Sequence, residues 1–421
     1  MAPFRRSGEM RAPISILFVC EAATLAHVVR LVSLAKRLAG TGVDICLATD
    51  PRYAALVGEL PFTVQPIFSM PSETFFRAIQ RGTPIFDFPT LVQYVKDDLA
   101  LLDRVRPNVV VGDFRISLGI SARLAGIPFL NVTDAYWSPW SRVECAVPDY
   151  DWVRFVGSGV GTAIFSRLRG VGFKLHAWPV NRARRKFGLP ALRGDFRHVL
   201  DDGDYTCYAD LPEIVPIDPL PPNHSYIGPV PWSPGGPLPA WWDEVLDERG
   251  GGGRVYVSLG SSGPRGVLQN VLDALESFPV KALVSTAGRA PGLRRTKNSW
   301  VAEFLPGDSA CTSAQLVICN GGSPTTYQAL AAGVPVIGIA TNMDQFLNMT
   351  AVSNAGCGIL VRSSPASTDT LIKAISRGLE DRGLREKAGI MRRAIERKPA
   401  TIAFCSALET LLGRKLPSIP G

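Results

Sequence analysis

Short, continuous apolar runs alternate along this chain with stretches in which apolar residues recur at the three- and four-residue spacing of a helix face. Ile14 to Cys20 (ISILFVC) reads as a strand, and the following HVVRLVSLAKRLAG puts Val28, Leu31, Leu34, Ala35 and Leu38 on one helical face before Gly40 stops it. VDICLATD is the next strand. NVVVGD (Asn108 to Asp113), the helix SLGISARLAG and the strand IPFLNVT repeat the unit. Strand, helix and strand with a glycine stop predict parallel pairing through right-handed crossovers. The middle of the chain is less regular, and a Pro/Gly-dense stretch from Pro212 to Gly253 reads as a linker. Alternation then restarts with RVYVSLGSSG, a helix from Val267 to Phe278, KALVSTAG, AQLVICNGG, TTYQALAAG, VPVIGIA and CGILV. Helical stretches from Thr368, Leu384 and Thr401 onward end the chain.

This pattern predicts an α/β chain of two Rossmann-like domains whose parallel sheets face a central cleft. The expected division is 1–232 for the first domain, 233–253 for the linker and 254–398 for the second domain. A terminal helix over 399–421 should pack back on the first domain. A length of 421 residues agrees, since it exceeds what one core usually holds. Chemistry is expected where the carboxyl ends of both sheets meet the cleft.

Composition changes this picture little. With 46% hydrophobic and 19% charged residues the chain is globular rather than disordered. Its formal charge is +8, from 45 basic and 37 acidic residues. Basic clusters lie at Arg182, Arg184, Arg185 and Lys186, at Arg289, Arg294 and Arg295, and at Arg392 and Arg393. They lack interleaved aromatics, which argues against nucleic acid; they read as solvated surface, with attraction to an anionic membrane or acidic ligand as the alternative. Eight cysteines without a CxxC pair point to buried, reduced thiols in a cytoplasmic protein rather than disulfides or zinc. The start, MAPFRRSGEMRAPISILFVCEAATLA, resembles a signal peptide only faintly, because Glu21 interrupts its apolar core. No apolar run is long enough to span a bilayer, so membrane contact is expected to be peripheral at most.

The stretch CNGGSPTTYQALAAGVPVIGI, Cys319 to Ile339, follows a short strand with two glycines and a small-residue helix that Gly333 ends. Unpaired N–H groups and the positive dipole end at such a helix start suit an anion, with Asn320, Ser323, Thr325 and Thr326 as further donors. The dipole alone is worth only about 0.3–2 kcal/mol. Strand, glycine loop and helix also occur without any phosphate. Neither a Walker loop nor a GxGxxG after the first strand is present.

NGGSPTTYQALAAGVPVIGIATNMDQ resembles the C-terminal signature of the UDP-glycosyltransferase family, inverting enzymes of the GT-B fold, with its spacing preserved. AHVVRLVSLAKRLAGTGVDICLATD, YIGPV and VYVSLGS resemble the family's opening, linker and second-domain first strand. The resemblance implies a hexosyltransferase that moves a sugar from a nucleoside diphosphate sugar, a UDP-sugar rather than a dTDP-sugar, to a hydroxyl of a hydrophobic small-molecule or lipid acceptor. Neither cofactor nor metal is implied. It places Asn320, Gly321, Gly322, Ser323 and Thr325 on the donor diphosphate, and Gln328, Asp344, Gln345, Gly260 and Ser261 around its ribose and sugar. His27 falls on the general base and Asp113 on the carboxylate that orients it. Histidine suits removal of an acceptor proton near neutral pH, and a buried carboxylate behind it fixes the tautomer. For both residues the bland alternative is a polar group at a helix start or turn.

The aromatic stretches around Phe75 and Phe86 and around Tyr136 and Trp137 are candidates for an acceptor pocket, and equally for core. His176, His198 and His224 read as structural. Three departures from the signature matter: Asn320 for a histidine, Gln328 for a glutamate and Pro324 for a glycine. They keep two other readings open, a catalytically silent homologue that binds a nucleotide sugar and a GT-B nucleotide-sugar epimerase.

Overall fold

The computed structural model describes residues 13–235, 237–247, 252–260, 266–288 and 292–417. The first sheet contains β1 (Ser15–Cys20), β2 (Asp44–Thr49), β3 (Thr63–Pro66), β4 (Val109–Asp113), β5 (Phe129–Thr133), β6 (Tyr205–Tyr208) and β7 (His224–Tyr226), in the order β3-β2-β1-β4-β5-β6-β7. The second contains β8 (Gly253–Ser258), β9 (Val280–Ser285), β10 (Ser299–Ala302), β11 (Leu316–Cys319), β12 (Val336–Ala340) and β13 (Gly358–Arg362), in the order β10-β9-β8-β11-β12-β13. All pairings are parallel. Helices cover both faces, so Ile16 to Cys20 and Leu316 to Cys319 are wholly buried and read as unbroken apolar runs instead of alternating ones.

Both sheets reverse their direction of winding at an internal strand pair, β1/β4 in the first and β8/β11 in the second. Crossovers leave opposite faces there, which opens a crevice at the carboxyl ends of the strands. Cys20 lies beside Asp113 at the first switch point and Ser258 beside Cys319 at the second. The residues that follow these four positions form the walls of the cleft.

Two features depart from the pattern reading. The Pro-rich stretch after Pro212 is not all linker, since β7 within it pairs with β6 and closes one edge of the first sheet. The irregular middle holds a 29-residue helix, Ser158–Lys186. Its glycines and the internal Pro179 weaken the helical signal, and many of its apolar side chains face outward. The terminal helix Ala400–Leu412 lies on the first domain: Phe404 packs on Phe18 with ring centroids 6.2 Å apart, and Arg37 donates to Thr401.

Candidate active site

On the front wall, β1 ends in the turn Glu21 to Thr24, and the helix Leu25–Leu38 starts at once, which brings His27 into its first turn. The His27 Nδ1 lies 2.8 Å from the Asp113 carboxylate at the end of β4. A carboxylate only accepts, so Nδ1 carries the proton and Nε2 is left as the basic nitrogen. The imidazole stacks on Phe114 at 4.8 Å and 7°, and Phe75 meets Phe114 edge-on. Phe114 has φ 56°, a left-handed conformation that costs a bulky residue about 1–3 kcal/mol. The next residue holds it there. Arg115 is fully buried between Glu21 and Asp98, its guanidinium lies 3.8 Å from the Tyr94 ring centre, and it donates to Phe68 O. Burial raises the carboxyl pKa values of Glu21 and Asp98, against the opposing charge of Arg115.

Three residues after His27, and so on the same helix face, Arg30 donates to Asp113 at 3.2 Å and to both oxygens of Asp134 at 2.8 and 3.0 Å. Burial works against its charge, but Asp134 and Asp113 more than restore it and push its pKa up. Asp134 also accepts from the Ser323 hydroxyl of the second domain at 3.2 Å. His27, Asp113, Arg30, Asp134 and Ser323 therefore form one continuous polar chain across the cleft. A second crossing joins Tyr327 to Asp210 at 2.7 Å. Burial, with Asp134 adding to it, raises the Asp210 pKa to about 7.

The rear wall is the loop after β11 and the helix Ser323–Ala331. Several of its amides are already used: Gly321 N donates to Cys319 Sγ, Gly322 N to Asn320 Oδ1 and Thr326 N to Gly322 O. Pro324 carries no N–H. The amides of Ser323 and Thr325 are thus the ones that can meet an anion. Gly260 has φ 59°, and a Cβ there would sit 3.4 Å from the Asn320 amide nitrogen. Gly321 is required for another reason, because a Cβ would lie 2.7 Å from Met349.

These walls enclose a cavity of about 780 Å³. Of the residues expected from the sequence, His27, Asp113, Asn320, Gly322, Ser323, Thr325, Gln328, Asp344, Gln345, Gly260, Tyr136, Trp137 and Phe75 line it. Phe86 does not. It packs behind Phe114 against Tyr94, because an aromatic platform under His27 needs a buried floor. Gly321 faces Met349 rather than the cavity, and Ser261 lies outside the described residues. Gln345 also serves the fold, because its side chain accepts from Thr341 N and Asn342 N in a capping box at the start of the helix Met343–Asn354. The Gln328 amide reaches Trp232 O, Ser233 and Asp308, tying the helix to the linker. Asp344 accepts from Tyr136 at 3.2 Å and Trp137 at 2.8 Å, so those aromatics bridge the domains as well as line the front. Burial, then the charge of Asp134, raises the Asp344 pKa. His176 also lines the cavity, and burial lowers its pKa.

Sequence reasoning missed Arg30, Asp134 and Asp210. Arg30 had a signal, a lone arginine inside the apolar run VVRLV, which can be buried only with acidic partners. Asp134 and Asp210 lie within two residues after a strand, β5 and β6, much as Asp113 ends β4.

Two parallel-sheet domains whose switch points open on one cavity, with a His–Asp pair opposite a helix start, define a glycosyltransferase of the GT-B fold. Residues 269–411 match the family described as erythromycin biosynthesis protein CIII-like, C-terminal domain. The chain is 45% identical over 373 residues, 89% of its own length and 86% of the relative's, to a PGL/p-HBAD biosynthesis glycosyltransferase of Mycobacterium tuberculosis (strain ATCC 25177 / H37Ra). It is 46% identical to a PGL/p-HBAD biosynthesis rhamnosyltransferase of Mycobacterium bovis (strain BCG / Pasteur 1173P2), covering 86% of this chain and 79% of that one. A further M. bovis BCG relative, named an inactive PGL/p-HBAD biosynthesis glycosyltransferase, is 45% identical over 62% of this chain and 71% of its own. For the fold, the spinosyn rhamnosyltransferase SpnG complexed with thymidine diphosphate superposes with a TM-score of 0.67 over 94% of this chain and 100% of that one, at 20% identity. The chain belongs to the UDP-glycosyltransferase family and is a hexosyltransferase.

Proposed function

We propose that the protein moves a sugar from a nucleoside diphosphate sugar to a hydroxyl of a hydrophobic, lipid-like acceptor, with inversion at the anomeric carbon. The observation that carries this reading is the His27–Asp113 hydrogen bond at 2.8 Å on one wall of a cavity whose opposite wall is a helix start. His27 Nε2 takes the acceptor proton as the hydroxyl oxygen bonds to the anomeric carbon. The bond from that carbon to the diphosphate oxygen breaks, and the diphosphate leaves with the electron pair. Asp113 steadies the imidazolium. The amides of Ser323 and Thr325 and the Thr325 hydroxyl meet the charge of the leaving group, so chelators are expected to leave transfer unchanged. Asp344 Oδ1 is held by Tyr136 and Trp137, which leaves Oδ2 for a sugar hydroxyl.

The acceptor lies against the front aromatics Phe75, Phe114 and Trp137. The relative named a rhamnosyltransferase supports a 6-deoxyhexose as the sugar. A UDP-sugar is the donor the family pattern favours, and the neighbour solved with thymidine diphosphate supports a dTDP-sugar as the alternative. A cytoplasmic setting suits eight cysteines that are all buried free thiols. The relative named inactive supports a second reading, donor binding without transfer. Incubation with UDP-glucose or dTDP-rhamnose and a panel of phenolic and lipid alcohols, read by mass spectrometry, separates these two and the epimerase. A glycosylated acceptor is expected. Donor binding in calorimetry with neither product nor hydrolysis establishes the silent homologue instead, and sugar conversion without an acceptor establishes the epimerase.

A further inference from the structure

Nine of the 16 large apolar side chains exposed among the described residues fall between Trp152 and Trp178. Six of them, Val160, Ile164, Leu168, Val171, Leu175 and Trp178, recur at four- and three-residue spacing along the helix Ser158–Lys186 and are 38% to 58% exposed. At about 100° per residue they form a single stripe about 80° wide. Phe155, 87% exposed, lies on the short helix Asp151–Val156 that immediately precedes this one. The opposite face, with Phe173, Ala177, Val180 and Ala183, is the one buried in the domain. The stripe is thus an outward apolar surface on a helix already docked by its other side.

Charge says what covers it. The helix contains seven Lys and Arg residues and no Asp or Glu. At helical spacing the exposed Arg167, Lys174 and Arg185 follow one edge of the stripe, and Arg182 sits at its C-terminal end with its guanidinium 5.5 Å from the Trp178 ring centre. An apolar band bordered by cations and ended by aromatics suits the headgroup boundary of a bilayer with negative charge. No helix among the described residues is long and apolar enough to cross a membrane. Ile164, Leu168, Val171 and Leu175 also line the cavity, so the stripe lies at its mouth.

We propose that the helix Ser158–Lys186 lies in the plane of an anionic lipid surface and sets the mouth of the acceptor cavity against it. The acceptor then enters from the membrane without passing through water; that consequence rests on the transferase reading, whereas docking itself does not.

The test is flotation of the full chain with vesicles of phosphatidylcholine alone or with equal parts of phosphatidylglycerol, without donor or acceptor. The wild type is expected to float with the mixed vesicles, far less with the neutral ones, and to come off when salt shortens the Debye length to about 3 Å. The variant F155S/V160S/W178S, changed at positions outside the cavity lining, should bind at least about tenfold more weakly, with its circular dichroism and nucleotide binding intact. A wild type that stays unbound overturns the proposal, as does a triple variant that floats like the wild type. So does a wild-type dimer in sedimentation that the triple substitution dissolves, since the stripe would then be an interface between copies. Failure to transfer sugar, by contrast, leaves the vesicle result standing and touches only the proposed function.

Discussion

The two walls of the cleft are built by opposite means. On the front, the helix after β1 and the ends of β4 and β5 supply ionic side chains, His27 and Arg30, Asp113 and Asp134, linked by hydrogen bonds of 2.8 to 3.2 Å. On the rear, β8 and β11 end in glycine, amide and hydroxyl groups at the start of a helix. A base must keep one tautomer and one orientation, which charge pairing in a buried place enforces. A diphosphate brings its own charge, so its cradle needs small residues and N–H groups rather than fixed countercharges. Damage to the front should therefore appear in turnover and stability, and damage to the rear in donor affinity.

The sharpest contrast comes from His27→Ala, which should lower turnover by about 10²- to 10⁴-fold while calorimetry finds donor affinity nearly unchanged. Arg30→Met leaves Asp113 and Asp134 buried without their cation, and should cost about 3–5 kcal/mol of stability in urea unfolding. Equal stability in that variant would break the view of the front as a charge-paired unit. Between these and the rear wall lies Asp210. Its folded pKa is raised to about 7 from the ordinary 3.8, so the folded chain keeps a proton that the unfolded chain releases. Stability should then fall as pH rises from about 4 to about 7, and Asp210→Asn should flatten that slope, with Asp344 leaving a remainder in the same direction. The smallest effect is Thr325→Ala, which keeps the amide and loses one hydroxyl donor. It should weaken donor binding by about 0.5–1.5 kcal/mol, roughly 2- to 12-fold, with turnover at saturation little changed.

The same division describes how far the chain could be read before its structure was known. Buried parallel strands announce themselves as apolar runs, so β1, β4, β11 and β12 were legible, and so was the helix start that follows β11. The pairing of His27 with Asp113 beside the cavity was legible once motif and spacing were combined. What stayed hidden are partnerships between distant positions. Asp134 meets Arg30 across 104 residues and Ser323 across 189, and Asp210 meets Tyr327 across 117. Local spacing carries no trace of such pairs. Phe75 and Phe86 are both aromatic and close in sequence, and both meet the Phe114 ring, yet only Phe75 lines the cavity. The helix Ser158–Lys186 escaped for a different reason. Its apolar stripe faces solvent, and glycines interrupt the periodicity that marks a packed face.

If His27 and the start of the helix at Ser323 lie on opposite sides of one reacting carbon, displacement has to be in line. The configuration of the product, read by NMR from an anomerically pure donor, tests this directly. An α-linked donor should yield only the β-linked product; an α-linked product, retained through any number of turnovers, would contradict the opposed arrangement of base and leaving group.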